Sequence, residues 1–212
     1  MIVTIDGPAG AGKSTVAQRL AERLGFRYLD TGAMYRALTW LAMRDGTPLD
    51  EGERLGRLAE QYPVSLDEAG RVTIDGTDVT SAIRKSRIDR MVPVVARHAD
   101  VRRVMRERQR ELADLGNAVM EGRDIGTVVV PHAAVKVYLT ADPEVRARRR
   151  VAERPEIGAD ALATDLRVRD RSDAARMEPA PDAVEIDTTQ LEVEDVVAQI
   201  EVLVRDHQAQ PA

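Results

Sequence analysis

Gly7-Pro8-Ala9-Gly10-Ala11-Gly12-Lys13-Ser14 satisfies the spacing G-x-x-x-x-G-K-[ST]. Each residue type there has a chemical reason. Glycines let successive backbone N–H groups turn inward around phosphate oxygens, and a helix following the loop presents its positive end to them. Lys13 can reach β- and γ-phosphates, and the Ser14 hydroxyl, followed by Thr15, can ligate Mg²⁺. Chance would produce this pattern in roughly one random chain of this length in a hundred. Here it also lies between an apolar run, Met1 to Asp6, and a helical pattern from Ser14 to Leu24, which is where such a loop has to lie. Lysine is otherwise confined to Lys85 and Lys136 in a chain that prefers arginine. A compact point charge suits phosphate.

A phosphate loop alone leaves a small-molecule kinase, a switch GTPase and a motor-type ATPase open. No lysine lies in an [NT]-K-x-D base-reading motif, and Asp67-Glu68-Ala69-Gly70, a match to D-x-x-G, falls in a turn-rich stretch. A candidate strand, Asn117 to Met120, ends in the carboxylate Glu121, as a motor ATPase would require, but Gly122-Arg123-Asp124 follows. An arginine there suits a site that holds a second phosphate. Arg36 follows another candidate strand, Phe26 to Leu29, and Arg169, Asp173 and Arg176 cluster further on. An arginine fork matches a phosphate bidentately. In a doubly wound sheet the carboxyl ends of the strands converge on the ligand crevice, which would bring these arginines to the acceptor side of the loop.

The elements that must position these residues are legible in outline. Helices are expected from about Ala33 to Arg44, Asp100 to Leu115, Pro143 to Arg154, Ala161 to Arg171 and Val193 to Val204, with further strands at Ala133 to Leu139 and Val184 to Ile186. Trp40 sits in a helical apolar pattern and is expected in the core. Between Tyr62 and Arg84, short alternating segments are punctuated by Ala69-Gly70 and Asp75-Gly76, the mark of a small antiparallel insertion. The fold class is therefore α/β, a doubly wound parallel sheet covered on both faces.

Composition bounds the rest. The chain has 212 residues, 43% of them hydrophobic and only 3% aromatic, so its core rests on aliphatic side chains. A net charge of −5 excludes bulk electrostatic binding to a nucleic acid polymer. The absence of cysteine excludes disulfides, a thiol nucleophile and a Cys-based zinc site. His98 and His132 are expected to carry no chemistry. No apolar run is long enough for a membrane span, and no signal peptide is visible, so a cytoplasmic location is expected.

With these motifs in hand, the chain resembles the bacterial cytidylate kinases, a family of nucleoside monophosphate (NMP) kinases. The resemblance rests on Ile5-Asp6-Gly7-Pro8 with the phosphate loop, Asp30-Thr31-Gly32-Ala33-Met34-Tyr35-Arg36, Thr80-Ser81-Ala82-Ile83-Arg84, Glu121-Gly122-Arg123-Asp124-Ile125-Gly126-Thr127-Val128-Val129 and the segment from Arg169 to Arg176. It implies a single domain over 1–212, with an NMP-binding region and insertion over about 31–100 and a short lid over about 146–160. It implies transfer of the ATP γ-phosphoryl group to CMP or dCMP with Mg²⁺; nothing in the sequence demands an oligomer, so a monomer is expected. Lys13, Arg123, Arg169 and Arg176 would form the catalytic charge set. Residues 7–15 with Arg146, Arg149 and Arg150 would bind ATP. Thr31, Tyr35, Arg36, Arg102, Arg123, Asp124, Asp173 and Arg176 would bind the acceptor: Arg36, Arg123 and Arg176 on its phosphate, Asp173 on the ribose, and Thr31, Arg102 and Asp124 on the cytosine. Pro93 departs from the family, whose members often carry a serine hydroxyl there. A uridylate/cytidylate or adenylate kinase is the nearest alternative, disfavoured by the insertion and the short lid.

Overall fold

A computed structural model describes residues 1–67, 70–154, 157–174 and 177–209. The chain divides into two compact units, one of Met1–Tyr28 with Gly116–Ala212 and the other of Leu29–Leu115.

The first unit is built on a five-stranded sheet of order β2-β6-β1-β7-β8. Its strands are β1 (Ile2–Asp6), the start of β2 (Arg27–Asp30), β6 (Ala118–Glu121), β7 (Val135–Thr140) and β8 (Val184–Asp187). β1 runs parallel to β6 on one side and to β7 on the other, and β7 runs parallel to β8. Strands buried on both faces explain the near-continuous apolar runs: Val3, Ile5, Val119, Val137 and Leu139 are all buried. Val16, Ala17, Leu20 and Ala21 of α1 (Lys13–Leu24) and Val196, Val197, Ile200 and Val204 of α8 (Val193–Ala209) pack into the same core. α6 (Pro143–Glu153) starts with proline in its first turn, as expected. α7 (Ala159–Asp173) follows it and extends two residues beyond the expected span at each end. The expected lid includes positions 155 and 156, which lie outside the described residues.

The second unit contains the expected insertion as a three-stranded antiparallel sheet: β3 (Ser65–Leu66), β4 (Val72–Ile74) and β5 (Thr77–Asp78). Asp75-Gly76 makes its β4–β5 turn, with both residues at positive φ. Helix α2 (Thr31–Arg44) begins two residues earlier than its apolar pattern suggests, because the Asp30 carboxylate caps it by accepting from the Ala33 N–H at 2.8 Å. Two helices escaped sequence reading: α3 (Gly52–Gln61) and α4 (Ser86–Ala96). Two glycines weaken the helical signal of α3, and Pro93 inside α4 reads as a breaker. Tertiary packing overrides both signals. A Cβ at Gly56 would come within 2.8 Å of the Asp100 side chain on α5 (Ala99–Asp114), so that glycine is what lets α3 and α5 approach. His98 is structural, with Nε2 2.9 Å from the Leu49 carbonyl. Trp40 departs from expectation: it is half-buried, and the Arg44 guanidinium lies 5.2 Å from its ring centroid.

Candidate active site

In the first unit the phosphate loop leaves β1 and enters α1. Gly7 has φ 141° and no room for a side chain, since a Cβ there would lie 2.1 Å from the Leu139 carbonyl oxygen on the neighbouring strand. Three loop carbonyls are tied from outside. Ala9 O accepts from Arg146 at 3.1 Å, Gly10 O from Arg149 at 3.4 Å, and Ala11 O lies 3.1 Å from the Thr188 hydroxyl. The carbonyls are held by α6 and by the residue after β8, and the Lys13, Ser14 and Thr15 N–H groups at the start of α1 have no helical carbonyl four residues back. That is the arrangement an anion requires. Arg146 is buried and also bonds the Ala141 carbonyl and Asp170, so it forms the wall behind the loop. Arg149 is half-buried on Thr188, and Arg150 pairs with Glu153 at 2.7 Å.

Lys13 is buried, and its ammonium donates to the Pro8 carbonyl at 2.7 Å. Burial and the nearby Arg123 guanidinium hold its pKa well below the usual lysine range. The Ser14 hydroxyl donates to Glu121 Oε2 at 2.9 Å, and the Tyr28 hydroxyl donates to the other oxygen of that carboxylate. The sequence marked Glu121 as a possible Walker-B residue, and the structure brings it to the loop serine. Arg123 Nε donates to Asp173 Oδ2 at 3.1 Å, and Arg169 Nε stands 3.8 Å from the same oxygen. Asp173 is thus buried beside two of the three arginines that the resemblance assigns to catalysis. Arg176 lies outside the described residues.

After Glu121 the chain makes a turn that sequence reading missed, a single π turn over Ile125–Val129. Asp6, the last residue of β1, holds it: Oδ1 accepts from the Ile125 N–H at 3.0 Å and Oδ2 from the Gly126 N–H at 2.8 Å. Burial pushes the Asp6 carboxyl from 3.8 up to about 6, although those two N–H groups act against the rise. Asp6 stands in a quoted motif, but nothing in the sequence marks its partners, which are backbone groups 119 and 120 residues away.

In the second unit the residues after β2 gather at the N-terminus of α2. Arg36 donates to Asp30 Oδ2 at 2.6 Å, so the helix cap and the arginine expected on the acceptor phosphate form one ion pair. Gly32 leaves room for it, since a Cβ there would be 3.2 Å from the Arg36 guanidinium. Thr31 is buried in the first turn and Tyr35 is half-buried one turn on. Arg102 stands in the first turn of α5, half-buried, and Pro93 is half-buried within α4.

A phosphate loop whose lysine sits beside an arginine pair, with a carboxylate on the loop serine, is the frame of a phosphoryl-transfer enzyme. The model of the family described as cytidylate kinase matches residues 3–206. The chain belongs to the cytidylate kinase family. It is similar to the cytidylate kinase of Shouchella clausii (strain KSM-K16), at 47% identity over 98% of this chain and 97% of that one. It is similar also to those of Geobacillus kaustophilus (strain HTA426), at 46% identity over 96% of each chain, and Bacillus subtilis (strain 168), at 43% over 93% of each. Among solved structures, the fold is shared with a shikimate kinase from Bacteroides thetaiotaomicron, at a TM-score of 0.52 and 19% identity over 97% of this chain and 98% of that one. At that identity the likeness speaks for the fold alone. Cytidylate kinases are nucleoside monophosphate kinases, and Gly122-Arg123-Asp124-Ile125-Gly126-Thr127-Val128-Val129, the segment on which the sequence resemblance is most specific, runs here from the end of β6 through the π turn.

The site also fits Mg²⁺. That ion is commonly held by one or two protein oxygens together with substrate phosphates and water, not by an all-protein cage. The described residues contain no group of three or more carboxylates or imidazoles. They do offer the Ser14 hydroxyl and the buried Glu121 carboxylate together beside Lys13.

Proposed function

We propose that the protein phosphorylates CMP and dCMP to CDP and dCDP with ATP, by direct transfer of the γ-phosphoryl group, in pyrimidine nucleotide metabolism. The observation that carries this reading is the origin of two groups on adjacent parallel strands. The donor loop with Lys13 leaves the end of β1, and Arg123 with Asp124 leaves the end of β6. An acceptor phosphate held by Arg123 is thereby matched to a donor phosphate held at residues 7–15.

The chemistry needs positioning and charge stabilisation more than covalent catalysis. An oxygen of the acceptor phosphate attacks the γ-phosphorus as the bond to the β-bridging oxygen breaks, giving the diphosphate and ADP. Lys13, Arg123, Arg169 and Arg176 stabilise the charge that develops, and Asp173 orients two of these arginines. When bound, Mg²⁺ would neutralise charge on the donor phosphates, with Ser14 and Glu121 as its protein-side oxygens. Arg149 and Arg150 act on the donor from α6, while Arg146 acts through the loop carbonyl it holds. Arg36 and Arg176 join Arg123 on the acceptor phosphate; Thr31, Tyr35, Arg102 and Asp124 contact the nucleoside, and Asp173 the ribose. A lid over about 146–160, formed from α6 and the start of α7, excludes water that would otherwise hydrolyse ATP. No helix among the described residues is long and apolar enough to cross a membrane. A cytoplasmic monomer acting on free nucleotides completes the reading.

The test is ADP release measured against a panel of nucleoside monophosphates. Turnover that requires CMP or dCMP and is weak with UMP, AMP and GMP is expected. ATP turnover indifferent to every monophosphate would overturn the proposal.

A further inference from the structure

The bridge carrying Arg123 and Asp124 is short and is tied at both ends to one place. At its start, the Gly122 N–H donates to the Ile5 carbonyl at 3.1 Å. At its end, the Ile125 and Gly126 N–H groups donate to the two oxygens of Asp6. Ile5 and Asp6 are the last two residues of β1, and Gly7 opens the phosphate loop immediately after them. The far end of the bridge is closely packed as well. A Cβ at Gly126 would lie 2.8 Å from the buried Thr4 hydroxyl and 3.3 Å from the Lys136 stem, and Lys136 is itself fixed by Asp182 at 2.8 Å. Asp6 is buried beside this backbone.

We infer that Asp6 is a positioning residue for phosphoryl transfer: its carboxylate clamps the backbone after Asp124, so that the segment binding the acceptor is referenced to the same strand end as the loop binding the donor. This rests on the proposed acceptor role of Arg123 and Asp124. The carboxylate suits the task because it accepts two N–H bonds at once in fixed geometry, without a competing donor. The charged neighbours pair elsewhere, Lys13 with Pro8 and Arg123 with Asp173, leaving Asp6 to the backbone.

The test is D6N, compared with wild type and R123A in one coupled assay with CMP and ATP varied separately. Asn keeps size and one acceptor but turns an amide donor toward an N–H, so one end of the bridge is released. The expected result is a KM for CMP raised at least about tenfold and kcat lowered at least about tenfold, with KM for ATP changed less than about threefold, in a protein that still melts cooperatively. Equal loss for both substrates, or no loss, would overturn the inference. If D6N does not fold, hydrogen exchange in the wild-type protein decides. The Ile125 and Gly126 amides, which lie outside any strand ladder, should exchange at least about 10³-fold more slowly than unprotected amides. Exchange at the unprotected rate would overturn the clamp. Absence of CMP-dependent turnover in wild type would instead remove the acceptor reading. An expected R123A effect beside an unaffected D6N would remove the positioning role alone.

Discussion

Lys13 is buried, and its ammonium bonds the Pro8 carbonyl rather than a carboxylate, so an arriving phosphate would meet a charge that no anion of the loop neutralises. Lys13→Ala is expected to lower kcat by about 10²–10³ while the circular-dichroism melt stays near native, because one preorganised charge is lost and little packing with it. In the proposed reading Asp124 reads the base. Cytosine offers an N4 amino donor, whereas uracil offers a carbonyl, and a carboxylate accepts only from the former. Asp124→Asn should therefore lower kcat/KM for CMP more than for UMP, and an unchanged ratio would reassign Asp124 to another role. Because Pro93 lacks a hydroxyl, the same reading expects discrimination to lean on Asp124 and Arg102. Asp6 makes stability depend on pH. Its folded pKa of about 6 lies above its ordinary 3.8, so the native state keeps a proton that the unfolded chain has released. The associated stability is complete below about pH 4 and is lost as pH rises through about 6. Relative to D6N, wild type should lose about 3 kcal/mol between those limits in denaturant titrations.

At the scale of elements, the site depends on what surrounds the loop as much as on the loop itself. The residue after β8, Thr188, puts its hydroxyl 3.1 Å from Ala11 O and 3.0 Å from Thr140 O, and it receives Arg149 at 3.0 Å. Thr188→Val keeps the shape and removes these bonds. Thr140 O keeps the Thr188 N–H at 2.8 Å, so Ala11 O is the carbonyl that loses this partner, which should cost about 1–3 kcal/mol of stability. Because the released carbonyl belongs to the phosphate loop, KM for ATP should rise more than KM for CMP, and steady-state kinetics with each substrate varied checks this. In the second unit, the antiparallel insertion and α2 to α5 form their own packed body, with Ile74, Ile83, Ile88 and Leu55 fully buried. The Asp30–Arg36 pair caps α2 within it.

For the molecule as a whole, any ligand that binds only the native state shifts the melt by mass action. At a concentration of 100 Kd this is about 2.7 kcal/mol, which for a chain of this size is about 5–10 °C in Tm. CMP should produce such a shift by differential scanning fluorimetry, and UMP at the same concentration a smaller one. Equal shifts for both would count against discrimination in binding. In Lys13→Ala the CMP shift should persist if, as proposed, that lysine serves the donor.

The amino-acid sequence by itself determined whatever is encoded locally. The phosphate loop, the strand before it and the helix after it are contiguous, and so are the turns of the antiparallel insertion, so spacing and turn chemistry were enough. The resemblance to the cytidylate kinases likewise rested on contiguous motifs. Tertiary structure alone decided the rest. α4 forms around Pro93 and α3 around two glycines because burial of Ile88, Val92 and Leu55 outweighs weak helical propensity. Trp40 is half-exposed under Arg44, although its apolar spacing suggested the core. Arg146, one of a run of arginines indistinguishable in sequence, is the buried one because its place on α6 faces the Ala9 carbonyl. Asp6 finds its partners in backbone N–H groups more than a hundred residues away. Backbone donors carry no side-chain signature, so only the parallel pairing of β1 with β6 could bring that carboxylate to the turn it holds.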